Sequence, residues 1–239
     1  GTYVLDGANG LTSAATSAGT FSRNTAQSFE VQGNERLLIG RWSNGAYSEF
    51  NLGANQGTHY ALIAPLSNPL NLPTGTATYN LIGGTSPTSA RGLNGLGTFE
   101  ASLAIAFGAS PKVGMEGRIV MPEGSQAGYT YTFGNTGGVA NPNLAITVAT
   151  NGSLSFSIPG SASNGNAGSI AFRGGMADVS ASQLGFTYFA QLYANNGSGT
   201  FRDALNGAAI FGRSDLYPDA IVARSEERRV GEECRYRWW

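Results

Sequence analysis

Residues 99–107 read Phe-Glu-Ala-Ser-Leu-Ala-Ile-Ala-Phe, with Phe99, Ala101, Leu103, Ile105 and Phe107 alternating with Glu100, Ser102, Ala104 and Ala106. A period of two puts the large apolar side chains on one face of an extended strand and small or polar ones on the other. The same alternation sets Leu154, Phe156 and Ile158 against Ser153, Ser155 and Ser157, and Tyr129, Tyr131 and Phe133 against Thr130 and Thr132. These are half-buried strands of an antiparallel sheet.

Working outward, further strands are expected at Leu37–Trp42, Tyr47–Phe50, His59–Ala64, Thr76–Ile82, Val113–Met121, Leu144–Val148, Ser169–Gly174, Leu184–Tyr193 and Ala208–Gly212. Between them, Ser43-Asn44-Gly45, Asn135-Thr136-Gly137-Gly138 and Thr150-Asn151-Gly152 supply residues that tolerate positive φ, as tight turns require. No long helical pattern intervenes, which disfavours parallel crossovers; short helical turns are expected at most at Thr12–Ala18 and Phe201–Leu205. Hairpin-linked strands leave two edges unless they close, so the expected fold is all-β, an antiparallel up-and-down barrel of about eight strands. Residues 1–60 would add outer strands or a cap, with 1–36 less ordered or capping. A transmembrane barrel is the competing expectation, with its apolar face turned outward to lipid.

Composition narrows the functional classes. With 41% hydrophobic residues the chain has enough apolar surface to fold, and 35 glycines with only 12% charged residues suit turns and a Ser/Thr/Asn surface. A net charge of −1 without a basic cluster in the body of the chain gives no footprint for nucleic acid. No apolar run approaches the roughly 20 residues of a membrane-spanning helix. The chain opens at Gly1 without an initiator Met or an apolar leader, so any export signal is expected to lie outside this sequence.

Residues 224–239 read RSEERRVGEECRYRWW and hold five Arg and four Glu, the one Cys and two of the three Trp. The segment resembles the translated read-through of a sequencing-library adapter, departing from it only at Glu232, Tyr236 and Trp239, each by one base change. Residues 1–223 are therefore expected to form a single barrel domain with an N-terminal extension, and Arg224–Trp239 a non-native tail. Cys234 then leaves the count, and with it any disulfide or thiolate metal site.

The catalytic inventory is thin. His59 is the only histidine, which argues against a His-based metal site and most His-assisted triads; a strand histidine bonded to its neighbours is the simpler reading. Glu100, Glu116 and Glu123 could supply the paired carboxylates of glycoside hydrolysis, but they sit on or near strands opposite the apolar face, where solvent is the default partner. Gly83-Gly84 and Gly137-Gly138 are turn glycines, since no helix or G-K-[ST] follows them, and no serine stands in G-x-S-x-G. Trp42, Tyr47, Tyr60, Tyr129 and Tyr131 could line a ligand surface, although aromatics in strands are chiefly core fillers. No catalytic residue, metal ligand or cofactor is assigned from the sequence, and no binding residue is named.

Five segments in order, LIGRW (Leu38–Trp42), GTHY (Gly57–Tyr60), LPTGTATY (Leu72–Tyr79), GTFEASLAIAF (Gly97–Phe107) and GAAIF (Gly207–Phe211), resemble the β-barrel region of bacterial FecR-domain proteins and transferrin-binding-protein-like solute-binding proteins. The resemblance spans Leu37 to Gly212, and its motifs are structural rather than chemical. It implies an eight-stranded barrel exported to the bacterial periplasm or outer surface, with possible outer-membrane association. The function it implies is a non-enzymatic binding or surface-interaction module for an unidentified protein or small molecule. Two alternatives stand beside it, a structural or sensory barrel of a FecR-type envelope regulator and a small outer-membrane barrel.

Overall fold

The computed structural model describes residues 2–16, 19–48, 50–66, 69–194 and 199–218; the expected boundary at Arg224 and the tail to Trp239 lie outside the described residues. The described residues are all-β. Strands β1 (Thr2–Leu5), β2 (Leu11–Thr16) and β3 (Gly19–Ser22) form an antiparallel meander. Next come β4 (Gln27–Gly33), β5 (Leu37–Ser43), the small hairpin of β6 (Gly45–Tyr47) and β7 (Phe50–Leu52), and β8 (Thr58–Ile63), which returns to pair with β5.

The barrel follows. It uses β9 (Gly75–Gly84), then, after the two-residue β10 (Thr88–Ser89), β11 (Thr98–Phe107), β12 (Lys112–Met121) and β13 (Tyr129–Gly134). After β14 (Leu144–Ala145) come β15 (Ser153–Ala162), β16 (Ala167–Met176), β17 (Gln183–Tyr193) and β18 (Phe201–Arg213). Each barrel strand pairs antiparallel with the next, and β18 closes onto β9 through Ala209↔Gly84, Ile210↔Gly83, Phe211↔Leu81 and Gly212↔Asn80. Eight strands thus close on themselves, with β10 and β14 added alongside. A bulge on the seam leaves Ile82 as the extra residue, and it packs outward against the N-terminal sheet.

The alternation read from the sequence decides which way each side chain points. Phe99, Leu103, Ile105, Tyr131, Phe133, Phe156, Ile158, Phe172, Phe186, Tyr188 and Phe211 fill the lumen as one buried cluster. Their rings stack and tilt continuously, from Phe99 on Tyr188 (centroids 4.5 Å apart) through Phe172 on Phe156 (5.2 Å) to Phe186 on Phe211 (6.2 Å). Each such side chain contributes about 1.5–3 kcal/mol by burial. Ser153, Ser155, Ser157, Arg173, Thr130 and Thr132 point the other way. The apolar face therefore turns inward and the polar face outward, the reverse of a lipid-facing barrel.

The sequence expectations for local structure need four corrections. Leu144–Val148 is not one strand: Leu144–Ala145 pairs with β12, and Val148 makes an isolated bridge to Leu154. Of the helical turn expected at Thr12–Ala18, Ser13–Ala15 is strand, pairing on both sides with β1 and with β3, and Ser17 and Ala18 lie outside the described residues. Phe201–Leu205 is strand, in ladder with β17. Tyr47 and Phe50 are not in one strand: Tyr47 ends β6 and Phe50 opens β7, the two pair with each other, and Ser48 lies in the left-handed region at φ 46°. The expected outer strands before the barrel are present as small sheets: β5 is buried along its whole length, with Leu37 and Ile39 on the barrel and Trp42 facing the first meander.

One packing device recurs. Tyr188 lies across its register partner Gly207, so that a Cβ built there would stand 2.1 Å from the phenol oxygen; Tyr60 covers Gly40 (2.2 Å) and Tyr131 covers Gly160 (2.4 Å) in the same way. A ring laid over a bare backbone fills the space that a neighbouring side chain would otherwise take. Gly207→Ala should therefore cost about 1–3 kcal/mol by overpacking, measured by urea unfolding. Gly7→Ala, where a Cβ meets nothing within 4 Å, should change stability by less than about 0.5 kcal/mol. Equal stability of the two variants would show that Tyr188 does not pin Gly207.

Candidate functional site

Beside the apolar contact of Leu37 and Ile39 with Ala208 and Ile210, the N-terminal sheet meets the closing seam through a polar cluster. The connection Thr85-Ser86-Pro87-Thr88-Ser89 runs beneath that sheet, and Thr85, Ser86, Thr88 and Ser89 are completely buried. Opposite stand Glu30, Arg41 and His59. Glu30 occupies the bulge of β4 with φ 52°, an uncommon conformation for a side-chain-bearing residue. Its carboxylate accepts from the Ser86 amide (3.0 Å), from the Ser86 hydroxyl and from Arg41 Nε (2.9 Å). Gln32, two residues on, matches its side-chain amide to the N–H and C=O of Gly84 (3.1 and 3.0 Å), completing hydrogen bonds that the end of β9 would otherwise lack.

His59 is held between two threonines, Nδ1 to Thr85 Oγ1 at 2.7 Å and Nε2 to Thr88 Oγ1 at 2.9 Å. Proton accounting fixes its tautomer. Thr88 donates to Asn206 Oδ1, so it must accept from His59 Nε2–H; Thr85 accepts from the Ala208 amide (2.9 Å), and its own proton goes to Nδ1 at 2.7 Å rather than to the Ala208 carbonyl at 3.4 Å. Asn206 then donates to the carbonyl of Gly57 (3.3 Å), closing a loop from β8 to β18 and back. Every ring proton and lone pair is used, so no basic nitrogen is left to activate a nucleophile. Desolvation, with Arg41 adding a like charge, drives the imidazole well below its ordinary value of 6.5 and keeps it neutral. The cluster is thus an interlock between sheet and barrel.

Arg41 is the unusual member. It is His59's register partner, only 3% exposed, its guanidinium carbon 5.2 Å above the Phe29 ring, and its Nη1 has no hydrogen-bond partner among the described residues. On the other side of the seam, Asp203 faces the barrel end and accepts from Ser89 Oγ at 2.6 Å.

Beside the interlock, a cleft of about 390 Å³ opens between β8 and the outer face of β16, β17 and β18. It is lined by Thr58 and His59 from the sheet and by Ala171, Arg173, Thr187, Phe189 and Asn206 from the barrel. Its floor is set by register: Arg173 lies opposite Thr187, Ala171 opposite Phe189, and Phe189 opposite Asn206. Phe189 is 43% exposed, an aromatic ring on an otherwise small and polar outer face. Among the described residues Arg173 has no carboxylate partner.

The sequence-selected residues fall elsewhere or play other parts. Trp42, Tyr47 and Tyr60 pack together between the two N-terminal sheets, Trp42 Nε1 donating to the Leu11 carbonyl at 2.7 Å; Tyr129 and Tyr131 are inside the barrel. Glu100 pairs with Arg118 on the outer face (2.7 Å), Glu123 is exposed on the connection after β12, and the groove beside Glu116 has no second carboxylate in its lining. Glu100 and Glu116 are diagonal neighbours on β11 and β12, while Glu123 stands apart on the connection after β12. Gly83-Gly84 is seam backbone, and Gly137-Gly138 takes positive φ as turn glycines do. Glu30, Arg41, the buried hydroxyl run, Arg173 and Phe189 were not singled out from the sequence. One signal was present: Arg41 shares the period-two face of Leu37 and Ile39, a charge within an apolar series. No protein-family model matches the chain, and no curated protein matches its sequence.

The interlock carries a pH signature. Because the folded state holds His59 neutral while the unfolded chain protonates near 6.5, stability is full above that pH and falls as pH drops below it. Between pH 7.5 and 5.5 the loss should reach at most about 1.4 kcal/mol. His59→Gln should flatten that segment of the stability profile, read from urea midpoints across the window; an unchanged slope would mean that another group titrates there.

Proposed function

We propose that the chain is a non-enzymatic binding module of the bacterial cell envelope that holds its partner on the outside of the barrel. The observation that carries this reading is the filled lumen: a barrel whose interior is occupied by stacked Phe and Tyr side chains offers no internal ligand chamber, while a cleft stands open on its outer face. The chemistry at the interlock supports binding over turnover. Its histidine is neutral and fully bonded, and its carboxylate is committed to Arg41 and Ser86. The envelope assignment rests on the resemblance of the LIGRW, GTHY, LPTGTATY, GTFEASLAIAF and GAAIF segments to transferrin-binding-protein-like barrels, and an outward polar face favours an aqueous compartment over a lipid-embedded barrel.

The test uses the full chain immobilised against a panel of apo- and iron-loaded transferrin, haem, and acidic and neutral envelope saccharides, with parallel assays for glycoside, ester and peptide turnover. Saturable binding of a panel member without turnover is the expected result. Catalytic turnover of any substrate, or no binding across the panel, overturns the proposal.

A further inference from the structure

The cleft beside the interlock has a chemistry of its own. Its lining contains one permanent cation, Arg173, and no carboxylate, so its field favours an anion. Among the described residues that guanidinium has no acid partner, and its planar fork is suited to a carboxylate. One register step away, Phe189 presents an exposed ring, a flat apolar platform of the kind that stacks on the C–H face of a sugar. Around the pair lie the hydroxyls of Thr58 and Thr187, and on β15 Ser155 stands opposite Arg173 and Ser157 opposite Ala171. Thr58 Oγ1 makes no hydrogen bond among the described residues, and Thr187 Oγ1 makes only a long one, 3.3 Å to the Arg173 carbonyl.

The volume of about 390 Å³ falls at the small end of ligand pockets, room for one or two sugar rings. A phosphate site would call for several converging N–H groups or cations, and here there is one guanidinium beside an aromatic ring. His59 adds no charge to the wall, because the two threonines consume both of its nitrogens. A ring with an apolar face, several hydroxyls and a single carboxylate meets all of these features together.

We infer that this cleft is a subsite for a uronic-acid-type sugar, its carboxylate on Arg173, its ring on Phe189 and its hydroxyls toward Thr58 and Thr187. This deepens the reading of the chain as a binding module and rests on it. Because Arg173 and Phe189 are on the surface, their loss should leave the fold intact, which unchanged urea midpoints would verify.

The experiment is a titration of the full chain with D-glucuronate, followed by isotope-edited NMR, with D-glucose, benzoate and inorganic phosphate as separate arms. Glucuronate should bind saturably, and Arg173→Gln and Phe189→Ala should each weaken it about tenfold, as the loss of a charge-assisted contact or a stacking platform implies. Affinity should also fall as salt is raised. Glucose should bind at least about tenfold more weakly for want of the carboxylate. Phosphate binding as tight as glucuronate would replace the inference with a general anion site. Benzoate binding as tight would replace the sugar with an aromatic acid, and insensitivity to both substitutions would place the ligand elsewhere. A different panel member binding without dependence on Arg173 or Phe189 would overturn this subsite while leaving the binding-module reading standing. Cleavage of a glucuronoside would overturn the binding-module reading itself.

Discussion

Strand β18 is buried on both of its faces, and the rest of the molecule is arranged around that requirement. Leu205, Ala209 and Phe211 point into the lumen, while Ala208 and Ile210 point outward onto Leu37 and Ile39 of the N-terminal sheet. A strand in this position cannot alternate between apolar and polar, and its sequence is a run of small and apolar residues instead, Ala204-Leu205-Asn206-Gly207-Ala208-Ala209-Ile210-Phe211. The small residues are needed because two bodies approach the same backbone: Tyr188 from inside over Gly207 and the N-terminal sheet from outside over Ala208. Leu37 makes a similar approach to Gly185 on the neighbouring strand, 2.2 Å from where a Cβ would be.

Closing the barrel at β18 also creates the problem that the interlock solves. The seam with β9 ends near Gly84, and the chain beyond it, Thr85 to Ser89, must pass under the sheet with its backbone groups away from water. Buried amides and carbonyls need partners, and leaving one unmatched costs on the order of 1–3 kcal/mol. Gln32 and Glu30 reach across to supply them, and the left-handed bulge at Glu30 is the local cost of aiming that carboxylate. Once Glu30 is buried it requires a cation, which explains Arg41; removal of either would leave an uncompensated charge. His59, beside Arg41, then has to be neutral. One topological decision propagates in this way to each polar residue of the interface.

How much of this could be read beforehand follows the same physics. Strands with one wet face announce themselves by period two, and Phe99–Phe107, Tyr129–Phe133 and Leu154–Ile158 lie in the structure as their alternation demands. Antiparallel closure followed from the lack of crossover helices and from turn residues such as Asn44, which takes φ 52°. Phe201–Leu205 was misread because it runs from the exposed Phe201 and Arg202 into the doubly buried part of β18 and so shows no alternation. Thr12–Thr16 was misread because its short, small residues carry little periodicity of either kind. The Thr85–Ser89 stretch reads as a solvated loop on composition, and its burial depends on distant partners: Glu30 and His59 on one side and Asp203, Asn206 and Ala208 of β18 on the other. Long-range polar matching leaves no periodic trace, so the interlock had no local signature.

The cleft inherits its shape from that same matching. One wall is β8, fixed at His59 and Gly57 by hydrogen bonds that end on Asn206 of β18; the floor is the outer face of β16 and β17, fixed by the aromatic lumen behind it. Neither wall is a loop, so the spacing between Arg173, Phe189 and Thr58 is set by sheet registers and by the hydrogen bonds that tie His59 and Gly57 to β18. Preorganised groups on rigid elements lose little entropy when a ligand arrives, which is what a weakly charged surface with a single guanidinium needs if it is to bind a small polar molecule at all. The filled barrel is therefore a support: its packing holds the outer surface still.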